Sequence, residues 1–509
     1  MSNKPLIATH ELTKRFGELL ACDGVNVALD EGEIVALLGE NGAGKSTFVK
    51  MLFGALQPTS GWIAWRGERV PIPEPATARR LGIGMVHQHF SLFEAFTCAE
   101  NIALGLGTGE PLAAIASRAR AMGERYGLPI DPDALVADLA IGQRQRVEIV
   151  RCLLQDPALV IMDEPTSVLT AQEAEGLFDA LRLLRSEGRT VLYISHKLEE
   201  VRALCERAVV MRAGRVVEEC DPRLRSAGEL ASAMIGGEVP TIRHERLDEP
   251  GEALLEVLGL SRASELPFGT PLRDVELEVR AGEIVGIAGI AGNGQRELFA
   301  AISGETLSER DAVRIAGEGV GHLGIDARRS KGAAFVPEER LGHGTAPGMT
   351  LDRNFVLSRH GKADGTRGPL GWLRWGKGRR AMREIVERMD VRMSAPNPPA
   401  RRLSGGNLQK FVVGRELDAK PKLLVVDQPT WGVDAGAASN IRQALIDLAS
   451  GGVAVLVISQ DLDELFEIAD RLAVMNGGRL GSLRPTTSYT REMVGLEMGG
   501  TASERSHAA

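Results

Sequence analysis

The sequence predicts an α/β fold repeated in tandem, two copies of one domain, each built on a parallel sheet with helical crossovers. Three observations carry this. Blocks of sequence recur at fixed offsets, short apolar runs alternate with helical patterns, and a glycine-rich loop follows a buried strand.

At 509 residues the chain is too long for one hydrophobic core, and roughly 150 residues per domain gives a prior of about three domains. The repeats reduce that to two. GEIVALLGENGAGKST at Gly32 to Thr47 recurs as GEIVGIAGIAGNGQRE at Gly282 to Glu297, an offset of 250. LVIMDEPTSVLT at Leu159 to Thr170 recurs as LLVVDQPTWGVD at Leu423 to Asp434, and VLYISHKLEE at Val191 to Glu200 as VLVISQDLDE at Val455 to Glu464, both offset by 264. The difference places 14 extra residues in the second copy, expected between Thr350 and Leu403. The expected division is a first domain at 1–237, a linker at 238–251, a second domain at 252–498 and a disordered tail at 499–509.

Runs such as Ile34 to Leu38, Leu159 to Met162 and Val191 to Ile194 are uninterrupted and end in Gly, Asp or Ser, as strands buried on both faces do. Helical patterns lie between them, one over Gln143 to Leu154 that stops before Pro157. That alternation means a parallel sheet with right-handed crossovers.

Composition excludes several classes. Hydrophobic residues at 44% and charged residues at 25% are ordinary globular values, which rules out disordered and fibrous chains. Net charge is −8 and aromatics are 4%, which argues against a nucleic-acid partner. The five scattered cysteines read as buried thiols in a reducing compartment. The N-terminus lacks the apolar stretch of a signal peptide, and no run approaches 18 apolar residues, so a peripheral protein is expected.

Gly39, Glu40, Asn41, Gly42, Ala43, Gly44, Lys45 and Ser46, followed by Thr47, match the phosphate-loop pattern GxxxxGK(S/T) between a strand and a helix. Such a loop turns backbone N–H groups and a helix N-terminus toward phosphates, with Lys45 on the terminal phosphates and the Ser46 hydroxyl on Mg²⁺. Asp163 at a strand tip is a further Mg²⁺ ligand, Glu164 a general base for water, and His196 at the end of the next strand a contact for the γ-phosphate.

Leu403-Ser404-Gly405-Gly406-Asn407 closely resembles the LSGGQ signature of ATP-binding-cassette (ABC) ATPases, with Ser404 expected to cap a helix that binds phosphate. The resemblance covers essentially the whole chain. It implies two cassettes, each a P-loop parallel-sheet core with an antiparallel β subdomain and a helical subdomain, the latter at about 90–155 and 350–417. It also implies that Phe16 stacks on adenine, that Gln88 joins Mg²⁺ to the helical subdomain, and that Asp434 lies in the loop that meets the other cassette. Two fused cassettes, a short linker and PEER at Pro337 to Arg340 resemble the ATPases of bacterial simple-sugar and nucleoside importers. HQHF at His87 to Phe90, IGQRQRVEI at Ile141 to Ile149 and QPTWGVD at Gln428 to Asp434 resemble the nucleoside type, which works with basic-membrane-protein-like lipoproteins. The alternative is a ribose-, galactose- or xylose-type sugar importer. A more distant one is a soluble two-cassette ATPase acting on ribosomes or nucleic acid.

The copies differ informatively. Lys45 becomes Gln295, Ser46 becomes Arg296, Glu164 becomes Gln428, His196 becomes Gln460 and Gln88 becomes Glu338. The first signature reads Ala140, Ile141 and Gly142, and Thr170 stands where the second copy has Asp434. In a head-to-tail pairing every loss falls on one site, that of Gln295, Arg296, Gln428 and Gln460 with Ala140, Gly142 and Thr170. The other site keeps Lys45, Glu164, Ser404 to Asn407 and Asp434. The resemblance further implies ATP and Mg²⁺ as cofactors and two transmembrane permeases as partners, with an extracytoplasmic binding protein acting indirectly and no nucleic acid. It places the chain on the cytoplasmic face of the inner membrane. Trp372 and Trp375, in the added segment, are expected to pack locally, with contact to a permease as the other reading.

Overall fold

The computed structural model describes residues 4–87, 91–107, 109–166, 169, 171–195, 197–237, 251–264, 269–359, 372–393, 395–433 and 435–498, without the side chains of 171, 172 and 435. The chain divides into two compact units, Met1–Val239 and Pro240–Ala509. The expected linker and tail lie almost wholly outside the described residues.

In the first unit six strands form one sheet in the order Arg215–Cys220, Arg207–Arg212, Ile34–Leu38, Thr190–Ile194, Leu159–Asp163, Ile83–Val86. Only the first of these runs antiparallel to its neighbour. Successive side chains of a strand point to opposite faces, so each apolar run feeds two cores. Ile34, Ala36 and Leu38 pack into the core shared with the helices, alongside Val160, Met162, Val191 and Tyr193. Val35 and Leu37, with Ile161, Leu192 and Ile194, enter a second core. That core is closed by an antiparallel sheet of Ile7–Phe16, Leu19–Val25, Ala28–Leu29, Ser60–Trp65 and Glu68–Val70. Burial on both faces is why these strands carry no alternation of polar residues.

The second unit repeats the plan. Its large sheet runs Ala333–Val336, Leu423–Asp427, Ala454–Ser459, Ile284–Ala288, Arg471–Asn476, Arg479–Leu480, with Arg484–Pro485 also on Arg471–Asn476. Ile284 and Ala288 enter one core, Val285 and Ile287 the other. The antiparallel sheet here has the strands Leu272–Arg280, Ala253–Arg262, Val313–Ile315 and Glu318–Gly319.

Each unit also carries a helical part, Cys98–Leu106, Leu112–Arg125 and Ile141–Leu153 in the first and Leu351–Leu357, Trp375–Arg388 and Gly405–Leu417 in the second. Thr97 caps its helix through the Glu100 N–H at 3.2 Å, and Glu100 returns a bond from the Thr97 N–H at 2.7 Å. Just behind, Asn101 accepts from the Phe93 N–H at 2.7 Å and donates to the Phe93 carbonyl at 3.0 Å. Asn354 does the same with Ala346, at 2.8 and 3.2 Å.

That equivalence corrects the expected position of the insertion. Asn101 and Asn354 are 253 positions apart, so three of the added residues lie before Ala346 rather than after Thr350. They are absorbed because the loop closes on itself. The Gly344 N–H donates to the Glu339 carbonyl at 2.9 Å, the Gly342 N–H to the Thr345 carbonyl at 2.8 Å, and Thr345 Oγ1 to the Arg340 carbonyl at 2.6 Å. The signature helix of the first unit begins at Ile141, two residues before the expected Gln143, because the Ala140 N–H is satisfied by Gln143 Oε1 at 3.0 Å. Trp372 and Trp375 do not enter the core: they are 74% and 45% exposed, and the only ring contact shown for them among the described residues is the Arg353 guanidinium 6.0 Å from the Trp375 ring centre. No described helix is long and apolar enough to cross a membrane.

Candidate active site

The fully buried Ile34–Leu38 strand delivers the chain to Gly39, and the helix Lys45–Leu52 begins after Gly44. Two glycines are required here. Gly39 has φ 148°, and a Cβ on it would lie 2.3 Å from the Met211 carbonyl oxygen. Gly44 has φ 105°, and a Cβ would lie 2.4 Å from that of Ala21. The loop therefore packs against its own unit through bare backbone. Lys45 is buried, and its ammonium donates to the carbonyls of Gly39 at 2.6 Å and Glu40 at 3.1 Å, which folds the side chain back over the loop. Ser46 is exposed at the helix start and Thr47 half-buried. An ammonium, a helix N-terminus and a hydroxyl converge on the loop, the chemistry that holds a polyphosphate.

Asp163 ends its strand opposite Ile194. Glu164 follows in the left-handed region, φ 48°, with its N–H donating to the Ile194 carbonyl at 2.9 Å. A non-glycine residue held there is strained, and such conformations recur at functional sites. The second unit reproduces the turn with a different side chain. Gln428 has φ 52° and donates from its N–H to the Ile458 carbonyl at 2.8 Å, while its Oε1 accepts from the Gln460 N–H at 3.4 Å. Burial, with Glu338 nearby, holds the Asp427 carboxyl well above the usual range, and burial raises Glu338 as well.

The phosphate loop of the second unit is closed by a neutral group: Gln295 Nε2 donates to the Ile290 carbonyl at 2.9 Å. Arg296, exposed beside it, takes the place of Ser46.

Ser404 sits at the N-cap of the Gly405–Leu417 helix, φ −65° and ψ 156°, but its side chain does not make the expected cap. Its Oγ accepts instead from Asn407 Nδ2 at 2.9 Å, and Asn407 Oδ1 accepts from the Arg392 N–H at 2.7 Å. Gly406 allows close approach to Val433, 3.5 Å from where a Cβ would stand. Gln409 ties the helix to the turn after Asp427, donating to the carbonyls of Gln428 at 3.3 Å and Pro429 at 2.8 Å. In the first unit Ile141 is 40% exposed, and Gly142 faces Glu173, which pairs with Arg146 at 3.0 Å. Phe16 ends its strand half exposed under the Lys14 ammonium, so it is not core packing. Gln88, Thr170, His196 and Asp434 lie outside the described residues.

One organising residue carries no motif in the sequence. Glu200 Oε2 accepts from Thr166 Oγ1 at 2.6 Å and from the Tyr193 hydroxyl at 2.8 Å, and Oε1 pairs with Lys197 at 3.2 Å. It joins the segment after Glu164 to the strand that precedes position 196. The available signal is that Glu200 recurs as Glu464, whose carboxylate accepts from Ser459 Oγ at 2.7 Å. Elsewhere in the first unit, a cavity of about 240 Å³ opens beside the edge strand Ile83–Val86, lined among others by Phe53, Arg79, His87, Ser91 and Arg151. Burial, with Arg151 and Lys50 close by, lowers the His87 pKa.

These features define a pair of P-loop nucleotide-binding folds, one copy with lysine and glutamate at positions 45 and 164 and the other with glutamine at both equivalent positions. The ABC transporter family matches residues 22–167 and 272–431, and the chain belongs to that family of ATP-binding ATPases. It is 40% identical to the nucleoside import ATP-binding protein NupA of Lactococcus lactis subsp. cremoris, over 99% of this chain and 100% of that one. It is 41% identical to the ribose import ATP-binding protein RbsA 1 of Rubrobacter xylanophilus, over 98% and 99%. A solved complex of an archaeal ribosome recycling factor, aABCE1, with the stalk protein aP1 matches 95% of the chain with TM-score 0.63 at 20% identity, a likeness of fold alone.

Proposed function

We propose that the chain is the ATP-hydrolysing subunit of a bacterial importer, with cassettes at 1–237 and 252–498 joined by a linker at 238–251 and followed by a tail at 499–509. One observation carries the reading. Glu164 and Gln428 occupy the same left-handed turn with the same backbone bond, and differ in whether the side chain can take a proton. Lys45 and Gln295 differ in the same sense, a charged donor against a neutral one. One copy is built to hydrolyse and the other to assist.

In this proposal the loop from Gly39 to Thr47 holds the phosphates, Lys45 contacts the terminal ones and Phe16 stacks on adenine. Glu164 takes a proton from the attacking water while His196 orients it. Ser46 and Asp163, with Gln88, offer the hard oxygen donors that suit Mg²⁺; in the second copy Arg296 takes away the hydroxyl, while Asp427 and Glu338 stand at the other two positions. Held there, Mg²⁺ would supply positive charge against that of the phosphates. The second cassette supplies Ser404, Gly405, Gly406, Asn407 and Asp434, head to tail. The converse site, with Gln295, Arg296, Gln428, Gln460, Ala140 and Gly142, does not turn over.

The partners are two transmembrane permeases, docked on the helical parts, and an extracytoplasmic binding lipoprotein acts through them. The chain lies peripherally on the cytoplasmic face of the inner membrane. The cavity at Arg79 and Arg151 supports docking on the first unit. Relatives named for nucleoside and for ribose import support a nucleoside or a simple sugar as cargo. The resemblance of HQHF, IGQRQRVEI and QPTWGVD to the nucleoside type supports nucleosides over sugars. Uptake of labelled nucleosides and sugars in a deletion strain separates them.

The pairing of halves is tested by turnover of the chain with its permeases. Ser404→Arg should abolish hydrolysis by filling the space at the helix start, whereas Ala140→Arg, in the same half as Lys45, should reduce it far less. The reverse result would show that each cassette completes its own site.

A further inference from the structure

The loop after the Ala333–Val336 strand folds back through three internal hydrogen bonds and projects Arg340 from its tip. The guanidinium reaches 91 positions along the chain, donating from Nη2 to the Trp431 carbonyl oxygen. It also lies 5.8 Å from the centre of the Trp431 ring, a cation–π contact. Its other nitrogen, Nη1, stands against the start of the Gly405–Leu417 helix, where a Cβ on Gly405 would be 3.1 Å away, and near Gly432, where a Cβ would be 3.6 Å away. Burial pulls the guanidinium down to about 10, which leaves it charged at neutral pH. Gln409 bridges the same helix to the same segment one turn on, through the Gln428 and Pro429 carbonyls.

The first copy differs in sequence at both ends of this contact. It reads HQHF where the second has PEER, so no arginine is available, and Ile141 stands in place of Gly405. Among the described residues the contact is found in the copy that has lost Lys45 and Glu164 but kept the signature. That combination has no use for chemistry on its own phosphate loop. It does serve presentation of the signature.

We propose that Arg340 is a positioning residue for ATP hydrolysis, fixing the Trp431–Val433 segment and the signature helix start as one rigid surface. The inference rests on the head-to-tail reading above, in which that surface closes the ATP site carried by the first cassette. Arg340 touches no phosphate in this account. It acts through Ser404, Gly405 and the residues leading to Asp434.

The test is steady-state ATP hydrolysis by the full chain with its permeases, comparing wild type, Arg340→Ala, Arg340→Lys and Arg340→Met with Ser404→Arg and Ala140→Arg. Arg340→Ala should lower kcat about tenfold or more, since misplacing a catalytic surface by about 1 Å costs up to about 10²-fold. The KM for ATP should stay within about threefold, because the phosphate loop and Lys45 are untouched. Lysine keeps one donor for the Trp431 carbonyl but not the planar fork, and should recover part of the rate. Hydrogen exchange should quicken at 404–408 and 429–433 and nowhere in the first unit. Arg340→Met retains the apolar stem without the donors, and carries the test if the alanine variant does not fold. Wild-type kcat in Arg340→Met, or equal losses in the lysine and methionine variants, would overturn the positioning role while a dead Ser404→Arg leaves the pairing of halves standing. An active Ser404→Arg with a dead Ala140→Arg would overturn the pairing and this inference with it.

Discussion

Gln295 Nε2 donates to the Ile290 carbonyl at 2.9 Å, and Lys45 Nζ donates to the equivalent Glu40 carbonyl at 3.1 Å. The two phosphate loops are thus closed by the same bond, made by an amide in one unit and an ammonium in the other. Loop shape and phosphate affinity are separable, since the amide preserves the first and forfeits charge.

Lys45→Gln tests that separation. The loop should stay folded, because glutamine reaches the same carbonyl. ATP affinity should fall about tenfold or more, since a charge-assisted hydrogen bond contributes roughly 1.5–3 kcal/mol. Calorimetric titration with ATP measures it, and an unchanged affinity would remove Lys45 from the binding site.

Glu164→Gln converts the first turn into the second. Its backbone bond to Ile194 should survive, and nucleotide should still bind. Turnover should drop by about 10²-fold or more, the usual effect of removing a general base. Single-turnover kinetics would separate this loss from slower release, and wild-type chemistry in the variant would exclude Glu164 as the base.

Glu464 provides a pH test. Burial raises its carboxyl from the usual 4.5 to about 7, against the opposing pull of Arg442 and the Ser459 hydroxyl. Between those values the folded chain holds a proton that the unfolded chain releases. The stability from this group is therefore complete below about pH 4.5 and lost as pH rises through about 7. Glu464→Gln keeps an acceptor for Ser459 and cannot ionise. Its unfolding transition should weaken less between pH 5 and pH 8 than that of wild type, and equal weakening would show that Glu464 does not titrate in this window.

The tandem repeat, the buried strands, both phosphate loops and the contrast of Glu164 with Gln428 were legible in the sequence. Each is a local signal: a period of apolar residues, a spacing of glycines, or a substitution at a repeated position. Ile34 to Leu38 needs no partner to be recognised as a strand buried on both faces, because it carries no polar residue. The positions that only the tertiary structure decided depend on neighbours far along the chain. Arg340 meets Trp431 and Glu200 meets Thr166, across 91 and 34 positions, through loops whose course no local pattern encodes. Ser404 turns its hydroxyl to Asn407 rather than to the backbone because Asn407 is itself held by the Arg392 N–H. Trp372 and Trp375 stand exposed, against the hydrophobic expectation, because burial is a property of what the fold brings alongside a residue and not of the residue itself.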